Sequence, residues 1–208
     1  MALRFRFKVG QFQRLRFERL SDAKMVGSKI PLMIGYNFDL RSSSGMVALS
    51  GMSGTGKSTL ALYMLACALR GSAEFPGADI TIIDPKLDVN LFKFAKKYDV
   101  EYSSPSGNDN EYLNDVKGIL SQAIQLVEQR QKAMIETGKT VFPPKIVFID
   151  EAMALTNSIT DNKKIKEYLA LVTRLTLTGR SASVFLWVGS QTFEVGSVMS
   201  SSSRDQMS

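Results

Sequence analysis

The stretch VALSGMSGTGKSTLALYMLACAL, Val47 to Leu69, leaves a chain few folds to adopt. An apolar run stops at a glycine-rich turn, Lys57, Ser58 and Thr59 follow, and leucines and alanines then recur at helical spacing. Gly51, Gly54, Gly56, Lys57 and Ser58 satisfy G-x-x-x-x-G-K-[ST] directly after an expected strand and at the head of an expected helix, the context in which that spacing cradles phosphate. The glycines let the backbone N–H groups of the Gly51, Met52, Ser53, Gly54, Thr55 and Gly56 loop turn inward on a phosphate, and the helix amino terminus adds partial positive charge. Lys57 then reaches the β/γ oxygens, Ser58 offers a hydroxyl to magnesium, and Thr59 falls near the α-phosphate.

A strand, loop and helix of this kind belong to a layered α/β sheet, and the rest of the chain alternates accordingly. Strands are expected at Met46 to Ser50, Ile80 to Asp84, Lys145 to Asp150 and Ser183 to Ser190. Helices are expected at Ser58 to Leu69, Val89 to Tyr98, Glu111 to Thr137 and Lys163 to Thr178, giving a mostly parallel α/β sheet. Turn formers cluster in RGSAEFPGAD, SSPSGNDN and TGKTVFPP, and the serine-rich GSVMSSSSRDQMS reads as a flexible linker.

KIVFIDEAMAL supplies the second half of the site. Its apolar run suits a strand buried on both faces, and Asp150 emerges at the carboxyl end, where open α/β sheets bind ligands. Asp150 is expected to hold magnesium through water, and Glu151 to polarise an attacking water, a step that separates an ATPase from a kinase-type cradle. The alternative for Glu151 is a strand-end salt bridge. SVFLWVGSQTF is a further buried strand; if it lies between the other two, Gln191 projects beside the γ-phosphate as a sensor, the alternative being a structural strand-end glutamine. Carboxylate pair, intervening strand and polar sensor together indicate a RecA-like motor of the P-loop NTPases.

Composition narrows the chemistry further. The 208 residues contain no histidine and one cysteine, so hydrolysis must run on carboxylates, lysine and a ligand-borne metal rather than on imidazole or a zinc site. Cys67, among leucines and alanines, reads as a buried structural thiol. No apolar run reaches the ~18 residues of a membrane span, and charges thread the amino terminus where a signal core would be apolar, so a cytoplasmic place is expected. Charge is concentrated in the first 20 residues, where Arg4, Arg6, Lys8, Arg14, Arg16 and Arg19 face only Glu18 and carry +5 of the +6 net charge. Such a basic arm suits nucleic-acid phosphate or anionic lipid; the alternatives are a solvated edge strand or the remnant of a preceding domain.

With these motifs in hand, the chain resembles the FtsK/SpoIIIE family of DNA translocases. SKIPLMIGYNFD, GMSGTGKST, TIIDPK, KIVFIDEAMAL, TGRSASVFLWVGSQTF and SSSSRDQM occur in that family's order and spacing from about Lys29 to Ser208, closer to its plasmid and conjugative-element branch. The resemblance implies that Arg180 reaches the ATP of a neighbouring subunit, so that the chain works as a ring, a hexamer. It also implies that Lys86, in the strand-end Asp84-Pro85-Lys86, lies near the nucleotide or the subunit contact. The family's usual glycine near Ser183 and its proline after the sensor are missing, Thr192 and Phe193 standing in the latter place.

Charge sets residues 1–28 apart as a basic arm or the remnant of a preceding domain, and the resemblance implies a RecA-like, FtsK-type ATPase domain over 29–208, incomplete in its carboxyl-terminal strands. ATP and Mg2+ are the expected ligands, and double-stranded DNA and further copies of the chain the expected partners. A plasmid-transfer or membrane-bound partner, met from the cytoplasm at the membrane periphery, is a further implication. DNA movement in conjugation, replication or partition is the leading expectation; a type VII secretion-like protein-export ATPase and a nucleotide-binding assembly module with little turnover are the alternatives. For the inner-loop contact with DNA, Thr156 to Lys164 is the candidate, with Asn157, Asn162, Lys163 and Lys164; a solvated helix start capped by Asp161 is its alternative.

Overall fold

The computed structural model describes residues 22–41, 45–52, 54–157, 159–193 and 198–206. The basic stretch Met1 to Leu20, and Ser53 of the glycine-rich loop, lie outside them.

A short antiparallel hairpin comes first, β1 (Lys29–Met33) and β2 (Tyr36–Asp39), turned at Gly35. Sequence reading did not mark it as a strand pair, because Pro31 interrupts the first strand and the alternation is short. It sits against the main body: the Tyr63 hydroxyl donates to the Pro31 carbonyl at 2.6 Å, and Phe38 meets Trp187 edge-on with centroids 6.3 Å apart. Ala23 and Met25, upstream of the hairpin, are buried in the same core.

The chain then alternates as β3 (Val47–Ser50), α1 (Lys57–Arg70), β4 (Asp79–Ile83), α2 (Val89–Tyr98), β5 (Glu101–Ser103), α3 (Asp109–Thr137), β6 (Lys145–Ile149), α4 (Ala152–Asn157), α5 (Asn162–Thr178), a 3-10 turn (Gly179–Ala182), β7 (Val184–Ser190) and α6 (Ser201–Gln206). The five strands β3-β7-β6-β4-β5 form one sheet in that order, and every pairing is parallel. The sequence-predicted strands and long helices are all present, with ends moved by one or two residues. The condition placed on β7 is met, since it lies between β3 and β6.

The inner strands read as they do because both their faces are covered. Ile146 to Ile149 of β6 and all of Val184 to Ser190 of β7 are buried, with α1 and α2 packed together and α3 and α5 packed together around the sheet. Trp187, fully buried, donates from Nε1 to the Gly45 carbonyl at 2.9 Å and so ties β7 to the approach of the phosphate-loop strand. Truncating it to alanine would cost ~3–5 kcal/mol through the lost contacts and the cavity left behind.

Local chemistry sets the helix ends. Asn108 and Glu111 form a reciprocal capping box, which starts α3 at Asp109, two residues before the expected start, and Gly138 ends it in the left-handed conformation. Asp88 caps α2 by accepting from the N–H groups of Asn90 and Leu91.

The reading of the serine-rich end as a flexible linker is corrected. Val198 and Met199 are buried, and α6 follows; Ser200 just before it and Ser203 within it are bonded back to α5, Thr173 Oγ1 donating to Ser200 Oγ at 2.9 Å and Ser203 Oγ donating to Thr173 Oγ1 at 3.2 Å. Serine composition suggested solvation, whereas hydroxyls bonded to one another and to Thr173 let the segment pack. Among the described residues no helix is long and apolar enough to cross a membrane.

Candidate functional site

The carboxyl ends of β3, β4, β6 and β7 open on one side of the sheet, and a cleft of about 410 Å3 lies there. It is lined by Met52, Gly54, Gly56, Lys57, Ser58, Thr59, Lys86, Asp88, Asp150, Glu151 and Gln191. Elements far apart in sequence thus bring together the residues expected to bind phosphate and to act on it.

The loop between β3 and α1 is built to leave donors free. Gly54 and Gly56 take φ of 81° and 90°, a region that costs glycine nothing, and the Thr55 hydroxyl donates to the Met52 carbonyl at 2.7 Å to brace the turn. Gly51 donates its N–H to the Ser190 carbonyl at 3.4 Å, and neither Gly51 nor Thr55 lines the cleft itself. Gly56 is the N-cap of α1; no side chain caps that helix and its first turn has no acid. Its first N–H groups and the positive end of its dipole are therefore available to an anion.

Lys57 Nζ donates to Glu151 Oε2 at 2.7 Å, with both side chains about nine-tenths buried. Lys86 Nζ stands 3.7 Å from the same oxygen, and the Gln191 backbone N–H donates to Glu151 Oε1 at 3.0 Å. Burial alone would push the Glu151 carboxyl up, but Lys57, Lys86 and the Gln191 amide outweigh it and hold it below the usual carboxylate range. Glu151 itself has φ of 50°, a left-handed conformation unusual for this residue type and one that aims its side chain back over the strand ends.

Asp150 differs from its neighbour. Burial pushes its carboxyl up to about 6 against the pull of Lys57, and its Oδ1 has no hydrogen-bond partner among the described residues. A Cβ on Gly189 of the adjoining strand would lie 3.0 Å from that oxygen, so the glycine leaves the carboxylate its space. Ser58 lines the same cleft. No group of three or more His, Cys, Asp or Glu side chains suited to a metal occurs among the described residues. One orphaned carboxylate oxygen and one hydroxyl are the donor set of an ion that takes its other ligands from phosphate and water, and they fit magnesium.

Gln191 reaches the cleft, and its backbone amide touches Glu151. Arg180 does not: it is exposed on the 3-10 turn, beyond the opposite end of the seven-residue β7, roughly 20 Å from Gln191 at the usual strand rise. There it lines a separate cavity of about 600 Å3 with Leu177, Arg41 and Phe185. At the start of α5, Asp161 accepts from the Lys163 N–H and Lys164 Nζ donates to Asn110, the geometry of a capped helix start.

Sequence reasoning missed two residues of the site and the role of a third. Asp88 lines it while capping α2; Gly189 makes room for Asp150; and buried Asp84 organises the turn that carries Lys86, accepting from the Tyr102 hydroxyl at 2.8 Å. A glycine inside an otherwise bulky strand, directly before the sensor segment, was the signal available for the second.

No family model matches this chain, and no curated protein matches it. Solved structures do. The pCW3 conjugation coupling protein TcpA, in its monomer form with ATPγS, superposes with a TM-score of 0.68 at 15% identity, over 96% of this chain and 57% of that one. The cytoplasmic domain of the Thermomonospora curvata type VII secretion ATPase EccC gives 0.57 at 18% identity, over 91% of this chain and 23% of that one. ATPases 2 and 3 of EccC, in complex with a signal sequence peptide, give 0.50 at 19% identity, over 78% and 31%. The fold is that of the RecA-like P-loop ATPases. This chain spans little more than half of TcpA and under a third of either EccC chain, and at such identities the likeness is one of fold.

Proposed function

We propose that the chain is an ATP-hydrolysing motor of the FtsK/SpoIIIE type that moves double-stranded DNA, working as a ring, a hexamer, in conjugative transfer, plasmid replication or partition. The observation that carries the reading is the meeting of Lys57, Asp150 and Glu151 in one cleft, with the Gln191 amide on Glu151.

Each residue has a task in that chemistry. The uncapped start of α1 and the loop N–H groups receive the phosphates, and Lys57 turns from Glu151 to their outer oxygens. Ser58 and Asp150 are the residues that would hold magnesium, which when bound neutralises charge on the β and γ oxygens. Glu151, freed of Lys57 and still tethered through Oε1 to the Gln191 N–H, orients a water and accepts its proton. The same tether joins the reacting end of the cleft to β7, whose far end leads to Arg180. Because Arg180 lies at the sheet's other end, an arginine finger from this residue acts on a neighbouring copy's nucleotide.

A protein-export ATPase is the second reading, supported by the likeness to EccC, one of whose structures holds a signal sequence peptide. Steady-state ATP turnover with and without duplex DNA separates the two. Stimulation by duplexes of unrelated sequence supports the translocase; turnover indifferent to DNA removes it and leaves the export reading.

A further inference from the structure

We infer that Lys86 is a positioning residue that takes over the Glu151 carboxylate when Lys57 turns to phosphate. The inference rests on the reading of Glu151 as the residue that acts on water.

Glu151 Oε2 is shared. Lys57 Nζ holds it at 2.7 Å and Lys86 Nζ waits at 3.7 Å, while Oε1 is occupied by the Gln191 N–H. Phosphate in the cleft competes with Glu151 for the Lys57 ammonium and draws it away. Its departure would leave a carboxylate only 10% exposed with one amide for company, and an ionised group stripped of its partner in such a place is costly. Lys86 is 49% exposed, so its ammonium is free to swing, and a movement of roughly 1 Å brings it to charge-assisted hydrogen-bond distance. A point charge on a flexible stem suits this exchange.

The root of that stem is fixed. Asp84, fully buried at the end of β4, accepts from the Lys86 N–H at 3.0 Å through Oδ1, and from the Asp88 N–H at 2.6 Å and the Tyr102 hydroxyl at 2.8 Å through Oδ2. Leu87 between them takes φ of 59°, a left-handed conformation that a leucine adopts only when its surroundings impose it. Asp88, the other acid beside Lys86, spends Oδ1 on the first N–H groups of α2 and so competes weakly for the ammonium. The turn therefore presents one side chain, Lys86, to the oxygen that Lys57 vacates.

A binding cycle tests this without depending on turnover. The affinity for ATPγS with Mg2+ is measured by calorimetry for the wild-type chain, Lys86→Ala, Glu151→Gln and the double variant. Lys86→Ala is expected to weaken binding roughly three- to tenfold when Glu151 is present, because binding then strands the carboxylate, and by less than twofold in the Glu151→Gln background. Lys86→Arg should restore the affinity, and Lys86→Gln, which keeps most of the stem, should behave as Lys86→Ala. Equal weakening in both backgrounds overturns the inference by placing Lys86 directly on phosphate; no change in either makes it an idle surface lysine. In turnover, Lys86→Ala should lower kcat about tenfold or more at saturating ATP, with Lys86→Arg rescuing it. A wild-type chain that binds ATPγS and hydrolyses nothing refutes the hydrolytic reading, whereas the binding cycle still decides whether Lys86 answers to Glu151. Loss of all nucleotide binding in the wild type would overturn both.

Discussion

Lys57 Nζ and Glu151 Oε2, contributed by residues 94 positions apart, stand 2.7 Å apart. Lys57 opens α1 and Glu151 follows β6, so the pair spans the cleft between them. On the proposed reading, phosphate in the cleft competes with Glu151 for Lys57 and draws it away. The proposed function gives the two residues different roles, Lys57 meeting phosphates in the ground state and Glu151 acting as water attacks.

Their substitutions should accordingly differ in kind. Lys57→Ala is expected to abolish nucleotide binding, whereas Glu151→Gln should bind ADP and ATPγS several-fold more tightly than wild type, since Lys57 is released in advance, and lose turnover by about 100-fold or more. Equal binding defects in the two variants would refute the assignment of roles.

Asp150 should leave a signature in stability against pH. Unfolded, an aspartate titrates near 4; folded, burial raises Asp150 to about 6, so between those values the native chain holds a proton that the unfolded chain has lost. Its contribution therefore becomes unfavourable as pH rises through this window and is fully so above about pH 6. Asp150→Asn lacks the titration. Without nucleotide and with chelator present, the stability of Asp150→Asn relative to wild type should be highest at pH 8 and fall by ~2 kcal/mol by pH 4. A gap that stays constant across the series would mean that the carboxylate is not desolvated.

Gly189 is predicted to matter for activity more than for folding. A methyl at this position would press within 3.0 Å of Asp150 Oδ1, and the carboxylate must give way. Gly189→Ala should lower kcat at least tenfold while shifting the thermal midpoint by only a few degrees. Unchanged turnover in a folded variant would show that Asp150 tolerates displacement.

The phosphate loop and the inner strands were legible because their chemistry is local. Gly51 to Ser58 must follow a strand and open a helix, and Ile146 to Ile149 has the unbroken apolar run of a strand covered on both faces. β5 was not legible: Glu101 to Ser103 is three residues long, and it forms because β4 offers it an edge. The same is true of the serine-rich end, where contacts with Thr173 override composition. Within the site, identity and spacing gave Lys57, Asp150 and Glu151. Tyr102, and the part Asp84 plays beyond its place in Asp84-Pro85-Lys86, escaped because both fix a backbone turn, and hydrogen bonds between β4, β5 and that turn leave no pattern along the chain.

Arg180 lies at the end of β7 away from its own cleft, so the finger proposed for it would act on a second copy's nucleotide. Lys57→Ala protein has an intact Arg180, and Arg180→Ala protein an intact cleft. Mixing the two should restore part of the ATPase activity that each lacks, up to about a quarter of wild type when the subunits alternate at random. No recovery at any ratio, with mixed assemblies demonstrated, would assign Arg180 to its own subunit's fold and to the cavity it lines beside Leu177.

A chain that moves along duplex DNA must hold phosphate and ignore sequence, so its binding should weaken steeply with salt as neutralised phosphates release their counterions. Each Lys or Arg that stops contacting phosphate reduces the slope of log affinity against log salt by about one unit. The arm concentrates six such cations in its first 20 residues. At the start of α5, by contrast, Lys164 is already bonded to Asn110, and the Lys163 backbone is held by the Asp161 cap. Deleting Met1 to Leu20 should therefore flatten the salt slope by several units, whereas Lys163→Ala with Lys164→Ala should change it by about two at most. Duplex affinity measured across a salt series for the three proteins checks this. A slope unchanged by the deletion would assign the arm to packing or subunit contact and leave DNA binding to the motor's own surface.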